Sequence, residues 1–432
     1  GEAFNQIHQV IKKRRQQEEW TVKRTDWKTM QFMFGSVRFQ RTLMGDEHGQ
    51  PHYPLDEWLG FRKYQRYSPL VEVKIAEMAS ESTYREVARV LKEWSAVHIS
   101  HQTVGSIVRR VGEAQKQADH DQVIELEESD SLPEGKEVNF LYVEADGVYV
   151  RGTERRKHYE VRHALIYEGW IEHGKRISLK HPHYLMTAQP TDTFWKEVQA
   201  FTAHHYSLEN TQVVTNSDGG HGYTPERFQE AFSQSKHKVL SQLDAYHIAQ
   251  ALNRAFGHKK SDYKHEVRKA IHEHNWNHFV LWMDTYESTL EDDKKIENLQ
   301  EFRSYIQNNW DRIFDWRDEV DQIPDDARTL GAMESNQRLI TYRMKKRGMH
   351  WSKQGVEAMV KVKQGMLNRT LRQAYLNHQK RSVRKQREVR RTIRLVQKLN
   401  KVAPSTGSVR KGSISLYAPH SSAVGQLLKS FK

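Results

Sequence analysis

The stretch from residue 138 to 256 constrains the fold more than any other part of the chain. It opens with VNFLYVEADGVYV (138–150), rich in β-branched and aromatic residues, and two more strand-like runs follow at 158–170 and 175–185. A helical spacing then covers 191–203. TQVVT (211–215) is a short apolar strand, 225–232 a helix, 238–243 a strand and 244–256 a helix. Each such element has an apolar face to bury, so the order of three strands, helix, strand, helix, strand, helix calls for one sheet covered by helices. The fold class is α/β.

The flanks read differently. Residues 4–19 form a helix, and 31–43 (QFMFGSVRFQRTL) alternate about Gly35 as a β-hairpin does. Over 71–113 two helical stretches surround a short turn. Thr83 precedes the first, and Ser100 stands as N-cap before Val104, Ile107 and Val108. That is the outline of a helix-turn-helix, with Ser100, Gln102, Thr103, Arg109 and Arg110 as candidate DNA contacts. Two ordinary helices of a bundle fit the same pattern. Seven acids against one base, with Pro133 and Gly135, mark 121–137 as an acidic linker. Residues 261–322 are helical throughout, and helices follow over 333–346 and from Ser352 to about 366. A basic run fills 380–401, and 403–415 is a flexible Ser/Gly/Pro segment. The expected organisation is a mainly helical DNA-binding region (1–120), the linker (121–137), a first part of the core (138–258), a helical insertion (259–330), final core helices (331–370), and a basic helix with a flexible tail (371–432).

Charge narrows the partners. Lysine and arginine number 68 against 55 acids, a net charge of +13 and a pI near 9.5, which favours a polyanion. The chain has no cysteine, which excludes disulfide scaffolds, cysteine-ligated metals and thiol catalysis. No apolar run reaches the ~20 residues that span a bilayer, and residues 1–28 lack a signal-peptide core. The expectation is a cytoplasmic protein without a membrane partner, associated with the bacterial nucleoid when bound to DNA.

Two aspartates end apolar strands and are followed by glycine: Asp146-Gly147 and Asp218-Gly219-Gly220. Taken singly, each reads as a turn or a helix cap. Together, on strands of one basic protein, they suit divalent cations, since Mg²⁺ binds through one or two carboxylates plus substrate phosphates. Glu334 opens a helix that carries Arg338, Arg343, Lys345, Lys346 and Arg347, the place for a third ligand beside a DNA backbone. His272, His274 and His278 cluster without an HExxH pattern and read as a solvated helix face. Trp276 and Trp310 read as core of the insertion, with stacking on an unpaired base as the alternative.

The motifs VEADGVYV (143–150), NSDGGHGY (216–223), DAYH (244–247) and GAMESNQRLITYRMKKRGMHWSKQG (331–355) resemble those of ISLre-type insertion-sequence transposases, relatives of the Mutator-like group. FGSVRFQRT (34–42) and LDEWLG (55–60) add to the likeness, which covers most of 20–370. The resemblance implies an RNase H-like catalytic core interrupted by a large all-helical insertion. Asp146, Asp218 and Glu334 would form a DDE triad holding two Mg²⁺ ions, with Mn²⁺ as a substitute. Asp244 and His247 match an accessory pair. Terminal inverted repeats and target double-stranded DNA would be the partners, bound by a homodimer or larger synaptic assembly. The readings left beside it are a non-enzymatic helix-turn-helix regulator and a metal-dependent nuclease on the same core.

Overall fold

The computed structural model describes residues 1–95, 97–129, 131, 134–382, 384 and 392. The chain divides into Gly1–His378 and Gln379–Lys432, and the architecture that follows is that of the first unit. Apart from Arg384 and Thr392, the expected basic run beyond 382 and the flexible segment at 403–415 lie outside the described residues.

Helix α1 (Glu2–Gln17) precedes a long hairpin of β1 (Thr21–Phe32) and β2 (Gly35–Gly45), extended by the two-residue β3 (Pro51–His52). The hairpin expected at 31–43 is present with longer arms, paired from Thr21↔Gly45 to Phe32↔Gly35. Gly35 takes φ +124° beside the turn, a conformation that costs glycine little. Met30, Val37, Phe39 and Leu55 from α2 (Pro54–Leu59) form a small core there.

Three helices follow: α3 (Pro69–Glu81), α4 (Tyr84–Trp94) and α5 (His101–Glu128). Thr83 and Glu86 close a capping box on α4, and the Ser100 hydroxyl accepts from the Thr103 amide to cap α5. Residues 121–128 are therefore helix where a linker was expected. The reason lies in packing: Val111, Ala114 and Val123 are buried along α5, and Gly112 lets its backbone meet a later helix. A Cβ at Gly112 would stand 2.3 Å from the Ala358 carbonyl oxygen.

The strands β5 (Phe140–Arg151), β6 (His158–Tyr167), β9 (His183–Thr187), β11 (Gln212–Ser217) and β12 (Leu240–Leu243) form a five-stranded sheet, ordered β12-β11-β5-β6-β9. β5, β6 and β9 are antiparallel neighbours, while β11 and β12 add in parallel on the other side of β5. Two small pairs lie apart, β4 (Lys136–Glu137) with β10 (Tyr206–Ser207), and β7 (Trp170–His173) with β8 (Arg176–Leu179).

Helices α6 (Thr191–His205) and α7 (Pro225–Ala231) cover the sheet face formed by Leu141, Val143 and Ala145. On β5 the opposite face carries Tyr142, Glu144, Asp146 and Val148, as the two-residue repeat of a strand requires. Four helices, α8 (Ala245–Phe256), α9 (Asp262–His272), α10 (Trp276–Glu287) and α11 (Asp293–Asn308), build a separate apolar core, followed by short 3₁₀ turns at Trp310–Arg312 and Trp316–Glu319. Trp276 and Trp310 meet edge to face at 5.0 Å within it.

The single helix expected over 333–346 is two: α12 (Ala332–Asn336) and α13 (Arg338–Met344), with Gln337 between them. Last comes α14 (Lys353–Leu367). Its Lys361 is fully buried and donates to Asp119 of α5 and Glu197 of α6, both at 2.7 Å. Apolar residues of α3, α4, α5, α13 and α14 share one cluster with Val148 and Val150 of β5. No helix among the described residues is long and apolar enough to cross a membrane.

Candidate functional site

Three carboxylates lie along one edge of the parallel part of the sheet: Asp218 and Asp244 follow strand ends, while Asp146, expected to end its strand, stands in the middle of β5, which runs on to Arg151 in its antiparallel pairing with β6. β11 pairs with β5 only as far as Asn216↔Glu144, so Asp146 lies just beyond the parallel segment. Asp218 follows the last residue of β11, and Asp244 the last residue of β12. In open α/β sheets this edge is where ligands bind.

Asp146 is 7% exposed. One of its oxygens accepts from the Gly147 amide at 2.6 Å, and the other accepts from the side-chain amide of Gln337. Burial raises its pKa to about 7, with the charge of Asp218 as the second cause. His247, in the first turn of α8, brings Nε2 to 3.8 Å from Asp146 Oδ2. Asp244 caps α8 through the Tyr246 amide at 2.7 Å and accepts from Asn216 Nδ2 at 3.1 Å. Asp218 accepts from the Gly220 amide at 2.8 Å, and its main-chain carbonyl takes the Tyr305 hydroxyl at 3.1 Å. Gly219 sits at φ +81°, where a side chain would be strained, and a Cβ there would stand 2.8 Å from Asn309 Oδ1.

The structure thus brings Asp146, Asp218, Asp244 and His247 together. Glu334 occupies the first turn of α12, half-buried, with no hydrogen bond or ion pair to its side chain among the described residues. Gln337 stands three residues on, and it is Gln337 that touches Asp146. Among the described residues, no three His, Asp or Glu side chains are grouped closely enough to ligate one metal ion. Asp146 and Asp218 nonetheless suit a cation chemically, being oxygen donors whose mutual repulsion a positive charge relieves.

The basic candidates separate. Gln102, Arg109, Arg338, Lys345 and Lys346 are exposed. Ser100 and Thr103 are occupied by the cap, their hydroxyls 3.0 Å apart. Arg110 donates to buried Glu72 at 2.8 Å. Arg343 is buried, donates to the Ala79 carbonyl and lies over the rings of Tyr84 and Trp351. Arg347 pairs with Glu86 at 3.1 Å.

Two residues that the sequence did not single out organise the site. Glu144 is fully buried and takes five hydrogen bonds, from the Tyr167 hydroxyl, Asn216 Nδ2, and the amides of Gly331, Ala332 and Met333 at 3.2, 3.0 and 2.9 Å. Those three amides are the start of α12, where a carboxylate meets unsatisfied donors and the positive end of the helix dipole. Arg312, also buried, donates to Ser217 Oγ at 2.8 Å and Asn309 Oδ1 at 3.1 Å, tying the turn after the insertion to the strand that ends at Asp218. The two-residue repeat of 142–146 is the signal for Glu144, since it puts a second acid on the face of Asp146.

Comparison with known proteins gives the lineage. The profile of the Uncharacterised protein family (UPF0236) matches residues 1–381. A "UPF0236 protein in vanSb 3′region" of Streptococcus gallolyticus is 32% identical over 341 residues, covering 79% of this chain and 73% of that protein. A UPF0236 protein of Caldanaerobacter subterraneus subsp. tengcongensis, whose name joins four locus designations, is 25% identical over 363 residues, covering 83% and 72%. Another from that strain, whose name joins eleven, is 24% identical over 363 residues with the same coverage. The motif resemblance to ISLre-type transposases is therefore corrected: the relatives carry the UPF0236 name and no transposase name. The chain belongs to UPF0236, an uncharacterised protein family.

Proposed function

We propose that this protein is a DNA transposase of a bacterial insertion sequence, cutting and joining strands by divalent-cation phosphoryl transfer. The observation that carries the reading is the meeting of Asp146, just beyond the parallel pairing of β5 with β11, with Asp218 and Asp244 past the ends of the next two strands, with burial and Asp218 pushing Asp146 up to about 7. A buried acid that resists ionisation beside a second acid is a place where a divalent cation gains much. Asp146 and Asp218 would hold Mg²⁺ or Mn²⁺, with Glu334 the third candidate. Bound there, metal ions would activate the attacking water or 3′-hydroxyl and neutralise the leaving oxygen. His247 sits where it can hold a proton beside Asp146.

The sheet order supports an RNase H-like core: three antiparallel strands, then two added in parallel beside the first. Helices α8–α11 follow the fifth strand as the insertion. The net charge of +13 and the exposed Arg338, Lys345 and Lys346 suit a DNA backbone, and Gln102 and Arg109 suit base and phosphate contacts from α5. A relative whose name joins eleven loci of one strain suits an element that copies itself. Joining two element ends requires at least two copies of the chain, working at the nucleoid.

The test is Mg²⁺-dependent nicking of a supercoiled plasmid, followed by transfer of a 3′-hydroxyl end into it. Asp146→Asn, Asp218→Asn and Glu334→Gln should each lower nicking by at least ~100-fold while leaving DNA binding intact. Near-normal nicking by any two of the three would defeat the assignment.

A further inference from the structure

Helices α8 and α11 pack against one another and share the apolar core that holds Leu252, Phe256, Leu299 and Phe302; beside that core each presents a mostly polar stripe. On α8 the residues at i, i+3, i+4 and i+7 are His247, Gln250, Ala251 and Arg254; on α11 the same spacing gives Asn298, Glu301, Phe302 and Tyr305. The two stripes line an open groove of about 290 Å³ that reaches Asp218, with Gln250, Arg254 and Glu301 at its exposed rim. Its inner end is fixed by the Tyr305 hydroxyl on the Asp218 carbonyl, and His247 belongs both to this wall and to the surroundings of Asp146. The side chains of Arg254, Asn298 and Glu301 have no hydrogen bond or ion pair among the described residues, although all three line the groove.

We propose that this groove receives an unpaired nucleobase of the nucleotide next to the phosphate being attacked. The inference rests on the phosphoryl-transfer reading above and adds the subsite. Size sets one limit, since a groove of about 290 Å³ is on the scale of a small molecule and far too small for a duplex. Chemistry sets the other. Glu301 can only accept hydrogen bonds, Arg254 can only donate, and Asn298 and Gln250 do both. A second phosphate would be repelled by Glu301 and Asp218, whereas the edge of a base carries donors and acceptors together. The half-buried ring of Tyr305 offers a face for stacking. A base inside a duplex cannot reach such a cleft, so the nucleotide must leave the stack.

The experiment titrates the full chain, in Mg²⁺ buffer, with the four deoxynucleoside 5′-monophosphates and with 2-deoxyribose 5-phosphate, followed by ligand-observed NMR. At least one nucleotide should bind ten-fold more tightly than the sugar phosphate. Glu301→Gln on α11 and Arg254→Ala on α8 should each bring that advantage within two-fold and leave the sugar phosphate unchanged. Circular dichroism confirms that both variants fold. Equal binding of all five probes, or an advantage that survives in both variants, would overturn the subsite. Plasmid nicking, run alongside, keeps the two readings apart. Nicking without base preference defeats the subsite alone. Base preference without nicking defeats the phosphoryl-transfer reading and leaves a base-binding cleft.

Discussion

Asp146 and Glu334, two of the three candidate cation ligands, stand on supports of very different kinds. Asp146 stands on the central strand of the sheet, paired with β6 along its whole length and with β11 just below the aspartate. Its position follows from the backbone ladder, and few single side chains could move it. Glu334 stands on a helix of five residues, too short to hold itself together in water. Its start is held by one buried carboxylate, Glu144, accepting from its first three amides, beside the buried Met333. A site built this way has a rigid half and a half set by a few hydrogen bonds, and the two should fail differently.

The largest difference should come from Glu144→Ala. It leaves three amides and a tyrosine hydroxyl without their acceptor in a buried place, and Asn216 with Asp244 alone. The expected loss is on the order of 3–5 kcal/mol in urea denaturation. Nicking should also be lost, although neither Asp146 nor Asp218 is touched. A loss under ~1 kcal/mol would mean that α12 is held by other contacts and that the comparison is misdrawn.

The rigid half should reveal itself through pH. Asp146 and His163 are direct partners across β5 and β6. His163 is fully buried, with neither ring nitrogen hydrogen-bonded among the described residues, and burial pushes its pKa down to about 3. Below the ordinary histidine value of ~6.5 the unfolded chain takes up a proton that the native chain refuses. Stability therefore falls on acidification, by about 2 kcal/mol between pH 7 and 5. Asp146 works in the opposite sense. With its native pKa raised to about 7, it binds a proton in the folded state first, so its contribution rises as pH falls from about 7 towards the ordinary carboxylate range. In metal-free buffer the two slopes should largely cancel. Asp146→Asn should then be more stable than the parent at pH 8, yet lose ~2 kcal/mol on going to pH 5. Parallel pH profiles for parent and variant would show that these two groups do not govern the acid response.

How much of this could be read from the sequence follows the same division. The strands at 138–150, 211–215 and 238–243 are legible because alternation and β-branched runs write the sheet directly, whereas 175–185 divides into β8, outside the five-stranded sheet, and β9, and Asp146 lies within β5 rather than at its end. His247 stands 3.8 Å from Asp146, and Asp244 caps the helix that carries it. The helix-borne half was not legible in detail. Residues 333–346 have unbroken helical spacing, and Gln337 keeps helical backbone angles between α12 and α13; what spacing cannot encode is that its side chain reaches Asp146 and that Glu144 receives the amides of 331–333. The acidic composition of 121–137 suggested a linker, but apolar positions such as Val123 keep 121–128 in α5. Composition also could not sort the basic residues. Arg343, between Tyr84 and Trp351, and Arg110, on Glu72, are packing groups, while Lys345 and Lys346 one turn away are free to meet a polyanion.

The smallest expected effect tests whether the two halves are joined by the cation site itself. In the absence of metal, the Gln337 side chain donates to Asp146 and links α12–α13 to β5. Gln337→Ala removes one hydrogen bond, worth about 0.5–1.5 kcal/mol, far less than the loss of Glu144 because the helix start remains capped. If a cation takes over that oxygen of Asp146, the amide is no longer needed there, and saturating Mg²⁺ should erase most of the variant's deficit while raising the thermal midpoint of the parent. An equal deficit with and without Mg²⁺ would mean that the carboxylate keeps its amide partner throughout, and that the link between strand and helix is purely structural.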